Sequence, residues 1–332
     1  RGNPDVLLRG GLNADSIIVS TGKTLKLSGT VTANDYLELS GTSSSPTNLS
    51  GTGSNDSLLV ASGNLCFEYL TVSNVNAGGG ATFNARMGSV NSGGNSGWIF
   101  DPSSSCAPKT YVPDDNFEAY LETHDASGNV VSVGDANSMG DGIANNDSVT
   151  TANINGVISL DVQNKNISDL KGIEDFSSIN NLRCAENQLA TLDVSQNLSL
   201  SVLECNINQL TNLDLTQNTA LTVLNCQNNS LTSLDLTNNV SLTTLYCNDN
   251  QLYSLDISQN TALNHFNCHY NQLSSLNLSQ NTALLTLNSQ FNSLTTLDVS
   301  QNIALEMLIC DNNQITNIDI SQNTALIFLH CF

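Results

Sequence analysis

Between Cys184 and Cys331 apolar and polar positions follow one phrase that restarts every 21 residues. Its clearest copy runs from Thr219 to Leu236 and reads T-A-L-T-V-L-N-C-Q-N-N-S-L-T-S-L-D-L. Cysteine marks the phase at Cys184, Cys205, Cys226, Cys247, Cys268, Cys310 and Cys331, and Ser289 fills the remaining register. Leucine keeps the same beat at Leu203, Leu224, Leu245, Leu287, Leu308 and Leu329, with Phe266 as the substitute. Two asparagine columns share it, one from Asn187 to Asn313 and one from Asn197 to Asn323. A fixed period of this length predicts a solenoid, because one coil cannot bury its own apolar edge and must stack on the next.

The first hundred residues alternate differently. Short runs such as S-I-I-V-S, T-L-K-L-S, Y-L-E-L-S and S-L-L-V-A are separated by Gly, Ser, Asn and Thr, and the helical period is absent. Their spacing predicts parallel β-helix coils, with a β-sandwich as the alternative. Between the two dialects, V-P-D-D-N-F-E-A-Y-L-E from Val112 to Glu122 predicts a short amphipathic helix with its N-cap at Asp114 or Asp115. Such a helix would cover the open end of the repeat array. The expected division is 1–104 for the β-helix segment, 105–157 for a linker and helical cap, and 158–332 for the repeats. The fold class is therefore a mainly β solenoid, β-helix coils followed by repeats with a short capping helix.

The wording L-x-x-L-x-C-x-x-N-x-L followed by L-D-L-S-x-N resembles the leucine-rich repeat, in its 21-residue bacterial class. The resemblance covers about half of the chain. The entry L-D-V-Q-N-K-N-I-S-D-L-K-G-I-E-D-F, from Leu160 to Phe176, looks like the first coils of internalin-type surface proteins. The phrase from Ala81 to Phe100 resembles the terminal β-helix coil of secreted bacterial adhesins, with Trp98 and Phe100 expected to close the core. These resemblances imply an extracellular setting on a bacterial cell surface. The chain opens at Arg1 without a methionine and stops inside a repeat, as expected of a piece of a longer protein, and no apolar run is long enough to span a membrane.

Charge narrows the partners. The net charge is −21, and Arg183 is the last basic residue, so eleven carboxylates follow it with no lysine or arginine among them. Nucleic acid, which is held by basic side chains neutralising phosphates, is excluded as a partner of the repeats. Cationic, neutral or ion-bridged partners remain.

The cysteine column reads as buried free thiols: coils about 4.8 Å apart bring cysteines within disulfide reach, but stacked side chains point the same way. C-x-x-C pairs and cysteine–histidine spacings suited to zinc are missing. Cys66 and Cys106 fall outside the column, and spacing leaves a bridge between them open. An acidic column, Asp193, Asp214, Asp235, Asp256, Asp298 and Asp319, reads as a solvated face hydrogen-bonded to nearby Ser and Thr. In the strip from Asp135 to Ile143, Asp135, Asn137 and Asp141 stand at the first, third and seventh positions with Gly140 at the sixth, so calcium is the candidate ion there. The strip lacks an acidic fifth ligand and a glutamate at the twelfth position, and a turn-rich linker is the competing reading.

Enzyme chemistry finds no footing: His124, His265, His269 and His330 belong to no nucleophile, zinc or phosphate-loop motif. Binding fits better, because the strand face offers variable positions beside each buried leucine and cysteine. In the middle coils these include Tyr246, Asn248, His265, Asn267, His269, Tyr270, Asn288 and Phe291, aromatic and imidazole groups among amides suited to a sugar ring or a protein epitope. The expected function is an extracellular, non-enzymatic adhesion or binding module for a protein or glycan on a cell or matrix surface. The alternatives are a structural stalk within a larger surface assembly and an accessory region of a secreted polysaccharide-degrading enzyme.

Overall fold

The computed structural model describes residues 6–19, 21–60, 64–100 and 108–331. The chain divides into two compact units, Arg1–Lys109 with Ile143–Thr150, and Thr110–Gly142 with Thr151–Phe332.

The first unit stacks short strands in parallel. Val6–Arg9, Thr24–Ser28, Thr47–Gly51, Leu70–Ser73 and Val90–Asn91 form one sheet in that order. Leu12–Ile18, Thr30–Glu38, Ser57–Val60 and Asn76–Gly78 form a second, while Thr82–Ala85 lies between Asn64–Phe67 and Trp98–Phe100 in a third. Alternate residues point inward, so register pairing builds apolar columns: Leu25 stacks on Leu49 and Leu49 on Val72, all buried. Trp98 packs on the rings of Phe67 and Phe83 with centroids 5.9 and 5.1 Å away, and Phe100 follows at 6.3 Å, which is the aromatic closure expected for this segment. Coils touch closely at Gly51, where an added Cβ would lie 2.0 Å from the Asn74 carbonyl oxygen.

The second unit begins with the expected helix, Asp115–Thr123. Asp114 is its N-cap and accepts hydrogen bonds from the Asn116 and Phe117 N–H groups. The other Asp114 oxygen accepts from Ser168 N, Ser168 Oγ and Asp169 N at 2.8, 2.7 and 3.1 Å, so one carboxylate ties the cap to the first coil. Those hydrogen bonds hold the Asp114 pKa below the usual value against the opposing cost of burial. Phe117 and Leu121 are buried, and the Phe117 ring stacks on Phe176 at 6.3 Å.

Nine three-residue strands, from Ser159–Asp161 to Phe328–His330, then form one parallel sheet in sequence order. Leu203, Leu224, Leu245 and Phe266 pair in register and are buried. The asparagine columns fasten coil to coil. Asn229 Nδ2 donates to the Cys205 and Cys226 carbonyls, both at 3.1 Å, while its Oδ1 accepts from Leu210 N at 3.0 Å. In the second column, Asn239 Nδ2 donates to the Leu215 and Asn218 carbonyls at 3.1 and 2.9 Å. Each amide thus satisfies backbone groups that irregular turns would otherwise bury unpaired.

Cys184, Cys205, Cys226, Cys247 and Cys268 are buried free thiols, as expected. Burial pushes Cys184, Cys226 and Cys268 up to about 12, so none is a thiolate near neutrality. The expectation fails at Cys310 and Cys331, which are joined as a disulfide with Cα atoms 4.4 Å apart. At that pair the reach set by coil spacing decides, rather than the shared direction of stacked side chains. The question of Cys66 and Cys106 lies outside the described residues, since Cys106 is not among them.

Candidate functional site

Each coil presents its variable residues at fixed addresses around the buried leucine and cysteine. One row precedes the cysteine by three residues and holds His265 beside Thr286, joined by a 3.0 Å contact from His265 Nδ1 to Thr286 Oγ1. A second row, one residue before the cysteine, sets Tyr246, Asn267 and Asn288 on neighbouring strands. Both rows are half-buried. The row after the cysteine departs from expectation. Asn248 is only 3 % exposed, so it supports the surface from beneath rather than facing a ligand.

The next position is where the backbone turns. Glu186, Ile207, Asn228, Asp249, Tyr270, Phe291 and Asn312 all lie at positive φ, between 49° and 57°. Asn and Asp tolerate this left-handed region, but a bulky side chain held there costs roughly 1–2 kcal/mol. Tyr270 and Phe291, at φ 49° and 51°, therefore stand at strained positions. Tyr270 N–H donates to the Gln290 carbonyl and Phe291 N–H to the Asp311 carbonyl, both at 3.1 Å, so hydrogen bonding between coils enforces the conformation. The two rings stack face to face, centroids 4.1 Å apart and planes within 7°. Tyr270 remains 47 % exposed. The same conformation recurs in every coil, at Ile207 as well, so it belongs to the repeat, and what differs at Tyr270 and Phe291 is the stacked aromatic pair it carries.

A polar network borders the rings. The His269 ring meets Tyr270 edge-on at 5.3 Å. Its Nδ1 lies 2.6 Å from Asn267 Oδ1 and 3.4 Å from Asn288 Nδ2, and its Nε2 lies 3.3 Å from Asp249 Oδ2. Asn248 Nδ2 donates to the same Asp249 oxygen at 2.7 Å. Burial lowers the His269 pKa, and the Asp249 carboxylate offsets this only in part. A neutral ring has one proton for two facing acceptors, Asn267 Oδ1 and Asp249 Oδ2. The structure thus brings seven of the eight expected residues to the surface of adjacent coils, with Asn248 below them. Sequence reading missed Asp249; its signal was its place in the column of Tyr270 and Phe291.

The strip of Asp135, Asn137 and Asp141 and the acidic column both carry local hydrogen bonds. Asp135 Oδ1 accepts from the backbone and side-chain nitrogens of Asn137 at 2.8 and 3.1 Å. The N–H groups of Asp141 and Gly142 donate to the buried Glu122 carboxylate, a partner the sequence did not reveal. Burial pushes the Glu122 pKa upward, and the adjacent Asp141 carboxyl adds to that effect. Along the acidic column each aspartate accepts from a donor two residues on, as Asp193 does from Ser195 N and Asp298 from Ser300 N, both at 2.9 Å. These hydrogen bonds hold Asp193 and Asp298 below the usual carboxylate value.

No family model matches the chain, and no curated protein matches it. Among solved structures it is similar to the functional domain of InlJ from Listeria monocytogenes, which includes a cysteine ladder, at 38 % identity and a TM-score of 0.61. That match covers 69 % of this chain and 48 % of the InlJ chain, so the chain spans about half of that domain's length. An internalin C2 from Listeria monocytogenes is similar over 69 % of this chain and 100 % of its own, at 21 % identity and a TM-score of 0.59, which speaks to fold alone. The repeats form a leucine-rich repeat solenoid. A leucine-rich repeat protein of Leptospira interrogans adds a match of 26 % identity and TM-score 0.51 over 53 % of this chain and 48 % of its own. In leucine-rich repeat terms the candidate patch lies along the parallel strands and the left-handed turn that follows them. No helix among the described residues is long and apolar enough to cross a membrane.

Proposed function

We propose that this chain is an extracellular, non-enzymatic binding module of a bacterial surface protein, holding a protein or glycan partner against the strand face of its leucine-rich repeats. The observation that carries the reading is the stacked pair Tyr270 and Phe291, bulky rings held at positive φ beside His269 and Asp249. A rigid solenoid keeps such groups in register before the partner arrives, so little ordering entropy is lost on binding. Similarity to the InlJ domain, which includes a cysteine ladder, supports the repeat framework on which this surface is built. The division at 1–104, 105–157 and 158–332 belongs to the same proposal, with the first segment serving as a spacer.

The test is a panel of surface proteins and glycans probed with the purified chain and with a Tyr246→Ala, His269→Ala, Tyr270→Ala variant. Binding that disappears in the variant supports the reading. Binding that survives it places the contact elsewhere, and no binding at all favours the stalk. Running the panel with calcium and with a chelator tests the strip of Asp135, Asn137 and Asp141 separately.

A further inference from the structure

The column of Asp249, Tyr270 and Phe291 places a carboxylate, an open ring and a supporting ring on three successive coils. Phe291 covers one face of the Tyr270 ring, and Tyr270 nonetheless keeps 47 % of its surface open. On the other side of Tyr270 in the column stands Asp249, whose side chain is 34 % exposed. Among the described residues a cation lies over an aromatic ring where Lys165 sits 5.6 Å from the Tyr120 ring centroid, in the helical cap. The coils around Tyr270 have no such group to offer, because the sequence holds no lysine or arginine after Arg183.

Resting on the binding reading above, we propose that the partner is a protein whose basic segment lays an arginine or lysine side chain on the open face of Tyr270, with its charge against Asp249. A cation over an aromatic face is drawn to the ring quadrupole, and a carboxylate at its edge adds a charge-assisted hydrogen bond. The remaining carboxylates of the repeats favour approach of a basic segment and repel an acidic one. A neutral glycan could also stack on the ring and donate hydroxyls to Asp249, but it carries no charge for the ring face or for the carboxylates of the repeats, and that charge is what separates the two partners.

His269 makes the contact sensitive to acid. The groups facing its ring are Asp249, Asn267, Asn288 and the Tyr270 ring, and Asp249 is the charged one. Once protonated, the imidazolium donates to Asp249 and Asn267 together and takes up the carboxylate that the arriving cation needs. Binding should therefore weaken as pH falls below the ordinary histidine value of 6.5.

The experiment titrates the whole chain with a short peptide bearing one arginine and with its citrulline counterpart, following ring-proton NMR signals assigned by Tyr270→Phe and His269→Gln. The arginine peptide should perturb both rings, and citrulline should bind about tenfold more weakly. Asp249→Asn keeps a residue type found in the same column at Asn228 and Asn312, so it should fold, and it should cost about tenfold in arginine binding. Asp214→Asn removes the same charge on another turn of the coil and should leave arginine binding unchanged. Equal binding of citrulline, or an equal loss in Asp214→Asn, overturns the cation proposal. If neutral oligosaccharides bind in a Tyr270-dependent manner while arginine does not, the surface reading stands and the basic partner falls. If Tyr270→Ala affects no ligand of the panel, both fall.

Discussion

Both units stack parallel strands over apolar columns, but they turn corners by different means. In the first unit the positive-φ corners include many glycines, among them Gly11, Gly22, Gly29, Gly88, Gly93 and Gly97, beside Tyr69 and Asn74 at φ 48° and 55°. Its coil length also varies: Leu25 pairs with Leu49, whereas Thr71 pairs with Val90. In the second unit the last glycine is Gly172, and every later coil makes its left-handed turn with a side chain from Glu186 to Asn312. Glycine permits a turn cheaply and displays nothing. A side chain in the same conformation costs backbone energy but puts a chosen group at a fixed address in each coil. The comparison therefore separates a stack whose corners are mostly glycine from one whose every coil turns on a side chain.

The regularity of the second unit depends on its asparagines, and the largest effect is expected there. Asn250→Ala removes donors to the Cys226, Cys247 and Asn248 carbonyls at 3.0, 3.2 and 3.2 Å, and the acceptor for Leu231 N at 3.0 Å. Leaving these buried groups unpaired should destabilise the repeats by about 3 kcal/mol, read from the urea midpoint. A loss below about 1 kcal/mol would show that packing alone holds the coils in register.

A penalty of about 1 kcal/mol should follow when an aromatic is moved to a coil that lacks a stacking partner. Asn228→Tyr places a bulky residue at φ 52° with Asp249 and Ile207 as its column neighbours. Phe291→Asn should instead be nearly neutral, because relieved strain offsets the lost stack on Tyr270 at 4.1 Å. Gly93→Ala in the first unit, at φ 92° with open space around it, isolates the backbone cost alone and should also lose about 1 kcal/mol. Urea melts of the three variants decide whether conformation or crowding sets the price of display.

How much of this was legible in the sequence follows from the same contrast. The 21-residue beat fixed strand, leucine column and both asparagine columns, because each repeated position has one chemical job. The helix at Asp115–Thr123 was legible from Asp114 and the spacing of Phe117 and Leu121. What the letters hid was orientation. Asn248 and Tyr270 look equally variable, yet one is buried and the other open, because Asn248 directly follows its cysteine whereas Tyr270 stands one place further on, at the left-handed turn. Asp249 seemed one carboxylate among many until the backbone placed it below Tyr270 and beside His269. Glu122 was likewise silent, because its partners are backbone N–H groups that no motif records.

Acid should affect the second unit more than the first. Asp193, Asp214, Asp235, Asp256, Asp298 and Asp319 all have folded pKa values below 3.8, held there by hydrogen bonds from the residue two places on. A depressed carboxylate binds its proton more readily when unfolded, so its stabilisation is present above 3.8 and fades as pH falls through the folded value. In the first unit Asp56 is such a group, held down chiefly by the Gly29 N–H. Urea midpoints taken between about pH 5 and 3 should therefore fall faster for the repeats. Parallel slopes in the two units would assign acid sensitivity to something other than these hydrogen bonds.

The smallest effect concerns the cysteine column of the second unit, which fills the interior as the apolar columns of the first unit do. Ser289 occupies the cysteine register, is fully buried, and its hydroxyl reaches the Ile309 carbonyl only at 3.5 Å. If the column exists to fill the interior, Ser289→Cys replaces a weakly bonded hydroxyl with a larger apolar group and should raise stability by less than about 1 kcal/mol. The new thiol should also resist alkylation in the native chain, as Cys226 should with its pKa pushed to about 12. Native-state labelling at Ser289→Cys, or a loss of stability, would mean that this register is mobile or polar by design. The serine would then mark a deliberate interruption between the free thiols ending at Cys268 and the bridged pair Cys310 and Cys331. Unchanged or raised stability with a silent thiol leaves it as one more way to fill a coil.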